Sequence, residues 1–548
     1  MGSINSGLLA TPRKQFGSST FFAPRNLVLA NQTMSLGTNL LSAVAEPNDV
    51  SAPRSLVPWE MLEETTQQCS QSTALVSCHQ PPTHLEWLLE PAERTHSSTS
   101  HLEWTYSQLH HAAVQFASRL SCEGLSQGDV LMVMLPNCAE QVLLLWACMR
   151  LGVAFAPINP GLLNRPETGE MQHIFELLQP ACVITSDQEC TRKLDQDFPK
   201  LSNSSRLKFK LALHTGQELA RGTWKTADDI RQIKSNVEGF LLEHGHHGFE
   251  DPSSIAVLLS TSGTTSLPKI CPHTITNLSF ESRHYYSSTG LQPGSKELGY
   301  AANFHIAAIV RDLMIARAGA TLVIPSWNFD ADAIFHALTT LRCTHLGGVP
   351  SVLSALTSRL DYPDDLILNH VRFYGEPMSS TRAELEKLST KARKVVNVWG
   401  MTEGVSGVTY KLNEVPVWQN DIMSCGRVMP GMAARVCGQD STEVVPRGKL
   451  GELHVHGPNM IQGYYEAGRI VQQDSFYVDD GKTWFKTGDT VTMDNDGNIF
   501  VTGRYKDLII RGGENIHPRL IERCLDKLMG VKVCMKCRYW ESHTSNIV

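Results

Sequence analysis

The chain has 548 residues, which is too long for one hydrophobic core and predicts two or three domains. Its 42% hydrophobic and 19% charged residues are typical of an ordinary globular protein in water. The net charge of −7, without any run rich in Lys and Arg, argues against a nucleic-acid partner.

The first residues differ in composition from the rest of the chain. Residues 1–45 contain no Asp or Glu and are rich in Ser, Thr and Asn. We predict a disordered tail over residues 1–55, although an acid-poor start also resembles a mitochondrial transit peptide. Fourteen scattered cysteines in so long a chain indicate free thiols in a reducing compartment. The cytoplasm is therefore the predicted location, with the mitochondrion as the alternative.

Helices and short apolar strands alternate through the next part of the chain. The longest apolar stretch, residues 130–149, is interrupted by Pro136 and Glu140, so no membrane span is expected. Hydrophobic spacing and glycine stops predict helix 106–120, strand 130–135, helix 139–151, strand 154–158, helix 309–316 and strand 321–324. This alternation predicts an α/β fold with a largely parallel sheet covered by helices.

A hydroxyl-rich stretch follows the apolar run 255–259, which reads as a buried strand. It continues from Ser260 as Ser-Thr-Ser-Gly-Thr-Thr-Ser-Leu-Pro and ends at Lys269. Hydroxyl and backbone donors next to one lysine are suited to phosphate oxygens. The spacing is not that of a Walker A loop. Taken alone, such a stretch is more often just a surface turn.

Two further motifs stand later in the chain. The strand-like run 395–398 leads to Trp399-Gly400-Met401-Thr402-Glu403. The segment Trp484-Phe485-Lys486-Thr487-Gly488-Asp489 is followed by a hairpin turn at 494–497 and then by Arg504.

Together these motifs resemble the adenylate-forming superfamily, which includes acyl-CoA synthetases, luciferases and peptide-synthetase adenylation domains. The resemblance covers about residues 100–522. It implies a large N-terminal domain of helix-covered sheets with a distorted β-barrel and a small, partial α+β C-terminal domain. It places the AMP-binding domain at 56–503, the barrel at about 420–503 and a truncated lid at 504–548.

The resemblance also implies a nucleotide site. The residues it places at the phosphates are Thr261, Ser262, Gly263, Thr264, Thr265, Lys269 and Thr402. Glu403 would hold Mg²⁺. Residues expected beside the purine are Gly375, Glu376, Pro377, Trp399 and Gly400. Asp489 would bind the ribose, and Arg504 the ribose or a phosphate.

Three more roles follow from the same resemblance. His305, in the run Ala302-Asn303-Phe304-His305, would line the acyl pocket. Lys506 falls at the hinge of the small domain, and Gly513 lies in the glycine-rich hairpin that enters the site for the thioester step. The chain departs from the family pattern at Ser266 and Ile270, where glycine is usual. A counterpart of the family's last lysine does not follow Lys506.

The implied activity is ATP- and Mg²⁺-dependent activation of a small carboxylic acid to an acyl-adenylate, with transfer to coenzyme A. No Asp occurs between residues 301 and 311, where relatives that activate amino acids carry one, so a fatty or aryl acid is expected. One alternative is an acyl-AMP ligase that loads the phosphopantetheine of an acyl carrier protein in a polyketide or peptide synthase. Another is a catalytically impaired protein that binds a nucleotide or an acyl group.

Overall fold

The computed structural model describes most of the chain between residues 41 and 516. The described ranges are 41–45, 57–94, 99–202, 204–214, 224–234, 236–244, 248–249, 251–261, 267–374, 379–419, 422–505, 509–511 and 514–516.

The first large sheet has seven strands in the order β10-β9-β5-β4-β6-β7-β8. The strands are β4 (Val130–Met134), β5 (Ala154–Pro157), β6 (Cys182–Thr185), β7 (Phe209–Ala212), β8 (Lys225–Thr226), β9 (Ile255–Ser260) and β10 (Ile270–Thr274). All pairs are parallel except β9 with β10, which form an antiparallel hairpin. Every residue of β4 is buried, as expected for a parallel strand covered on both faces.

The second large sheet has nine strands in the order β19-β16-β15-β14-β13-β11-β12-β2-β3. They are β2 (Thr73–Ser77), β3 (Leu102–Thr105), β11 (Lys296–Leu298), β12 (Thr321–Ile324), β13 (His345–Gly348), β14 (His370–Tyr374), β15 (Val395–Met401), β16 (Gly404–Thr409) and β19 (Arg427–Val428). The strands from β2 to β15 in this order are parallel, so their carboxyl ends meet at one edge.

A third, antiparallel sheet contains β1 (Ala43–Ala45), β20 (Ala433–Cys437), β21 (Gly451–His456), β24 (Phe476–Asp479), β25 (Lys482–Met493) and β26 (Ile499–Arg504). This region was predicted to form a distorted barrel, and its described strands pair in an open order. Three hairpins accompany it: β17 (Trp418–Gln419) with β18 (Ile422–Met423), β22 (Tyr464–Glu466) with β23 (Arg469–Val471), and β27 (Ile509–Arg511) with β28 (Glu514–Ile516).

Thirteen α-helices occur among the described residues. They are α1 (Pro58–Cys69), α2 (Tyr106–Cys122), α3 (Ala139–Leu151), α4 (Glu170–Leu178), α5 (Gln188–Asp197), α6 (Pro199–Ser202), α7 (Ala227–Gln232), α8 (Val237–His244), α9 (Ile275–Thr289), α10 (Ile306–Ala318), α11 (Ala331–Thr340), α12 (Pro350–Thr357) and α13 (Ser379–Lys391). None of the described helices is both long enough and apolar enough to cross a membrane.

The α/β class and the order of predicted elements are confirmed, with ends that shift by a few residues. The helix predicted over 309–316 is longer: it begins after His305, which occupies the N-cap position, and it ends at Gly319, which adopts a left-handed conformation. The predicted tail is wrong at residues 43–45, since these form β1 and pair with β20. Residues 1–40 and 46–55 lie outside the described residues. The predicted boundaries at 55 and 503 stay predictions.

An ion pair is buried within the nine-stranded sheet. Arg372 on β14 donates from Nη2 to Glu297 Oε1 on β11, and both side chains are 1% exposed. The two strands flank β13, and each leads to the sheet edge where the candidate site lies. Removing one partner of a buried pair leaves the other charge uncompensated in a medium of low polarity. The pair therefore fixes the middle of the sheet only as long as both members are present.

We expect Arg372→Met to lower the free energy of unfolding by about 3–5 kcal/mol because Glu297 is left unpaired. Urea denaturation followed by tryptophan fluorescence measures this change. The matched control is Arg342→Met, which removes an exposed pair with Asp365 and should cost about 1 kcal/mol or less. Equal losses in the two variants would contradict the account.

Candidate active site

The turn between β15 and β16 carries two of the predicted site residues. Trp399 pairs with Val408 and Met401 pairs with Gly404, so Thr402 and Glu403 occupy the turn itself. Hydrogen bonds to the backbone carbonyls of both residues hold this turn in place. His273 Nε2 donates to the Thr402 carbonyl at 2.8 Å, and the Ile461 amide donates to the Glu403 carbonyl at 3.0 Å. The turn is thereby held at the carboxyl edge of the nine-stranded sheet.

The hydroxyl-rich stretch is the loop of the β9–β10 hairpin. At its base, the Thr261 amide donates to the Lys269 carbonyl at 2.9 Å, and the Lys269 amide donates to Thr261 Oγ1 at 3.0 Å. His173 on α4 holds the exit of the loop by donating from Nε2 to the Pro268 carbonyl at 3.1 Å. Residues 262–266, which include Ser262, Gly263, Thr264 and Thr265, lie outside the described residues. The two ends of the loop are therefore fixed, with Lys269 at one of them.

Tyr464 joins Lys269 to Glu403. Its hydroxyl donates to Glu403 Oε1 at 2.8 Å, and Lys269 Nζ lies 4.5 Å from the centroid of its ring, within range of a cation–π contact. Tyr464 is buried, and burial, followed by the nearby Glu403 carboxylate, raises the pKa of its phenol well above the ordinary value. The phenol therefore stays a hydrogen-bond donor. The contact brings the lysine of the loop and the glutamate of the turn to one side chain.

Asp489 lies where β25 meets β26, directly opposite Arg504 in the strand register. The residue is 5% exposed. Each carboxylate oxygen accepts one hydrogen bond: Oδ2 from Trp399 Nε1 at 2.9 Å and Oδ1 from Arg504 Nε at 2.9 Å. Burial raises the pKa of Asp489, while Arg504 and the Trp399 hydrogen bond act in the opposite direction. One carboxylate thus links β15 to β25 and β26 of the antiparallel sheet.

The predicted partner of the purine has a different environment from the one expected. The side chain of Trp399 is buried, and only 6% of the residue is exposed. Its indole nitrogen points to Asp489 rather than to solvent. A role as a stacking surface for the purine stays a prediction, whereas the hydrogen bond gives Trp399 a role in holding Asp489. Gly400, the next residue, is exposed.

His305 lies in the segment that follows the carboxyl end of β11, at the same edge of the nine-stranded sheet. It is exposed and caps α10, and its ring lies 4.7 Å from that of Phe304 between centroids. Asp312, the first acidic residue beyond this segment, is buried on α10. Arg311 donates to Asp312 Oδ1 from Nε at 2.9 Å. Asp312 is therefore engaged by its neighbour.

The described site residues fall into two groups and one separate position. Lys269 and Glu403 contact Tyr464, with Thr261 at the base of the same loop and Thr402 in the same turn. Trp399 and Arg504 hold Asp489. Within the described part of the chain His305 forms no hydrogen bond or ion pair with either group, and its place in the pocket stays a prediction. The predicted residues outside the described part of the chain are Ser262, Gly263, Thr264, Thr265, Gly375, Glu376, Pro377, Lys506 and Gly513.

Two residues of the site were missed by the sequence analysis. Tyr464 belongs to the run Gly463-Tyr464-Tyr465, in which nothing distinguishes the second residue from a packing tyrosine. His273 is fully buried on β10, and its link to the Thr402 carbonyl spans 129 positions of the chain. Neither role has a local pattern, because both depend on how distant strands meet.

The neutral state of His273 gives a testable pH dependence. Burial lowers the pKa of His273 to about 4 from the usual 6.5, so the folded protein resists its protonation while the unfolded chain accepts the proton. Its contribution is therefore complete above pH 6.5 and is lost as the pH falls towards 4. We expect the stability advantage of the native protein over His273→Gln to shrink by about 3 kcal/mol between pH 7 and pH 4.

Urea titrations at several pH values measure this difference. The control is His336→Gln, the same substitution at an exposed histidine. A constant difference for His273→Gln would show that this histidine does not stay neutral in the fold.

Comparisons with known proteins agree with this geometry. An acyl-CoA ligase of Pestalotiopsis microspora is 25% identical over 86% of this chain and 82% of its own. A 2-succinylbenzoate–CoA ligase of Bacillus licheniformis is 28% identical over 81% of this chain and 84% of its own. The solved unliganded O-succinylbenzoate coenzyme A synthetase of Bacillus subtilis has a TM-score of 0.65 and 21% identity over 87% of this chain and 88% of its own. This similarity concerns the fold alone. Residues 86–465 match the model of the AMP-binding enzyme family, and the chain belongs to that family.

Proposed function

We propose that the protein is an AMP-forming acid–thiol ligase that activates a carboxylic acid with ATP and transfers the acyl group to coenzyme A. The observation that carries this proposal is the convergence of Lys269, Glu403 and Asp489 at one edge of the nine-stranded sheet, in a chain of the AMP-binding enzyme family. Binding of ATP requires a cationic group for the phosphates, a carboxylate for the metal ion and a carboxylate for the ribose diol.

Asp489 is the group proposed to bind the ribose. Its two oxygens are oriented by Trp399 and Arg504, and a carboxylate has about four acceptor positions, so two positions remain for the hydroxyls of a diol. Because the carboxylate is buried and oriented before the nucleotide arrives, little reorganisation is needed on binding. The exposed Arg504 lies next to the same position and would add a donor for the ribose or a phosphate.

Lys269, Thr402 and Glu403 are the groups proposed to act on the phosphates. Lys269 brings one positive charge, and Thr402 brings a hydroxyl from the neighbouring turn. Glu403 fits Mg²⁺ because it is a partly exposed carboxylate that is oriented through one oxygen by Tyr464. When bound there, Mg²⁺ would neutralise charge on the triphosphate. Tyr464 orients both Lys269 and Glu403 towards this task.

The chemical difficulty is that a carboxylate must approach a polyanion. In the first step an oxygen of the acid attacks the α-phosphorus, the bond to the β-phosphate oxygen breaks, and pyrophosphate leaves. In the second step the thiol of coenzyme A loses its proton and attacks the acyl carbon, and AMP leaves. Lys269, with the hydroxyl and amide donors of its loop, lowers the barrier of the first step by neutralising charge.

The expected substrate is a carboxylic acid without an α-amino group. A carboxylate that pairs with an ammonium group was not found in the segment 301–311, and Asp312 is already paired with Arg311 inside the fold. The names of the related ligases, which include 2-succinylbenzoate–CoA ligase and feruloyl-CoA synthase, agree with an aryl or other organic acid. A carrier-protein thiol in place of coenzyme A is the second candidate acceptor, and a cytoplasmic location stays a prediction.

The direct test is an incubation with ATP, Mg²⁺, coenzyme A and single acids from fatty, aryl and amino-acid panels, followed by mass spectrometry. We expect AMP and one acyl-CoA thioester with a fatty or aryl acid. Acyl-adenylate without thioester, followed by acylation of an added phosphopantetheinyl carrier protein, would select the carrier instead. Nucleotide binding without AMP formation from any acid would contradict the proposal and favour a binding protein.

Lys269→Met should lower the rate of AMP formation by about 100-fold or more, because one charge-neutralising group is lost in the first step. The matched control is Lys387→Met on α13, where an exposed lysine changes and the rate should not. Nucleotide affinity, measured by calorimetry, should fall much less than the rate. Equal rates for Lys269→Met and the native protein would remove the lysine from the mechanism.

Asp489→Ala should weaken ATP binding by about 100-fold, and Trp399→Phe by about tenfold, since the second change removes only one hydrogen bond to a charged group. Trp87→Phe, which changes a half-buried tryptophan that packs on Phe116, is the control for the second variant. In Asp489→Ala the effect of Trp399→Phe should disappear. If the two effects are independent, Trp399 does not act through Asp489.

A further inference from the structure

Three side chains that the proposed function does not use meet at the start of α3. Glu140 stands in the first turn of this helix, His84 lies between β2 and β3, and His214 follows the end of β7. His84 Nε2 is 2.5 Å from Glu140 Oε1, and His214 Nε2 is 3.3 Å from the same oxygen. All three ligand atoms lie within 4.8 Å of one another, and no other such group of three occurs among the described residues.

The two imidazole rings are arranged side by side. Their centroids are 5.9 Å apart and their planes differ by 14°, so both Nε2 atoms face one carboxylate oxygen. Trp327 packs against His214 at 5.1 Å between ring centroids and restricts its rotation. His214 Nε2 is buried and has no hydrogen bond within the described part of the chain. A buried ring nitrogen that faces a carboxylate without a hydrogen bond is suited to an ion placed between them.

Glu140 is oriented by a second layer of contacts. Gln80 Nε2 donates to Glu140 Oε2 at 2.7 Å. The orientation of the Gln80 amide is itself fixed, because its oxygen accepts from Ser77 Oγ at 2.7 Å and from the Ala139 amide at 2.8 Å. Oε1 is therefore the oxygen left for the histidines. Ligands of metal ions in proteins are commonly held in this way by a second layer of hydrogen bonds.

Access to the group comes from the histidine side. The Glu140 side chain is 3% exposed, whereas those of His84 and His214 are 24% and 21% exposed. The partly exposed histidine rings thus form the solvent-facing side of the group, and the Glu140 carboxylate lies behind them. The three ligands also come from segments attached to both large sheets, since β2 belongs to the nine-stranded sheet and β7 to the seven-stranded one.

We propose that His84, Glu140 and His214 form a binding site for a divalent transition-metal ion, with Zn²⁺ as the best-fitting ion, and that the bound ion ties the two large sheets together. Two imidazoles and one carboxylate are a common set of ligands for Zn²⁺, with a fourth position open to water. Zn²⁺ lies about 2.0–2.2 Å from each of its ligand atoms. To reach this geometry, the short contact between His84 and Glu140 must lengthen, and the widest distance between two ligand atoms must shorten by about 1 Å.

The site is tested on the full-length chain without nucleotide. The protein is stripped with EDTA, dialysed against Zn²⁺ and analysed for metal content, and Co²⁺ is used in parallel because its visible absorption reports coordination. We expect about one Zn²⁺ per chain and a Co²⁺ spectrum typical of nitrogen and oxygen ligands in four- or five-fold coordination. Bound Zn²⁺ should also raise the temperature of unfolding. A native protein that retains no Zn²⁺ overturns the proposal.

Variants identify the ligands. His84→Gln and His214→Gln should each lower Zn²⁺ affinity by more than about tenfold, and Gln80→Ala should lower it by about 10–100-fold by releasing Glu140. Two controls should bind like the native protein: His336→Gln, which changes an exposed histidine on α11, and His246→Gln/His247→Gln, which changes the His-Gly-His-His run at 244–247. Loss of Zn²⁺ only in the double variant would overturn the proposal.

A measurement on the native protein keeps the test decisive if a variant fails to fold. X-ray absorption at the zinc edge should show two imidazole ligands and a light-atom shell at about 2.0–2.2 Å. Three or more imidazoles would point to the His-rich run, and sulfur ligands would point to cysteines. Either result would overturn the proposal.

Discussion

The Asp489 carboxylate is the contact on which the rest of the site depends. It is buried, and it accepts hydrogen bonds from Trp399 on β15 and from Arg504 on β26. A buried carboxylate without these donors would be strongly unfavourable, so the nine-stranded sheet and the antiparallel sheet must meet at this position for the charge to be tolerated. The same requirement keeps the carboxylate oriented before a nucleotide binds. Stability and the proposed binding of the ribose therefore both require Asp489 to keep these two hydrogen bonds.

Tyr464 has a comparable position beside the residues that we propose to act on the phosphates. It lies on β22 and contacts groups from two other hairpins, Lys269 at the end of the β9–β10 loop and Glu403 in the β15–β16 turn. Its phenol remains protonated because burial and Glu403 both raise its pKa. A lysine and a glutamate of opposite charge could otherwise pair directly. The tyrosine between them leaves the lysine available for an anion and the glutamate available for a cation.

The sequence allowed the fold class and most of the strongly apolar elements to be predicted. Helix α3 and strand β12 have the predicted bounds, because glycines and a clear change of hydrophobic period mark their ends. Strand β1 was missed because three small residues in an acid-poor segment carry no strand pattern, and only pairing with β20 stabilises them. The motif residues of the site were identified by resemblance. The burial of Trp399 and the roles of Tyr464 and His273 could not be predicted from the sequence, since each depends on contacts across more than fifty positions of the chain.

The most direct test of the account is the acid-dependent exchange of radiolabelled pyrophosphate into ATP, measured on the full chain with Mg²⁺ and without coenzyme A. This reaction isolates the first step, for which we propose roles for Lys269, Glu403 and Asp489 and which does not require the thiol. The account predicts exchange with one class of acid that lacks an α-amino group, and its loss in Asp489→Ala. Binding of ATP without exchange for any acid would contradict the central claim that this site activates a carboxylate.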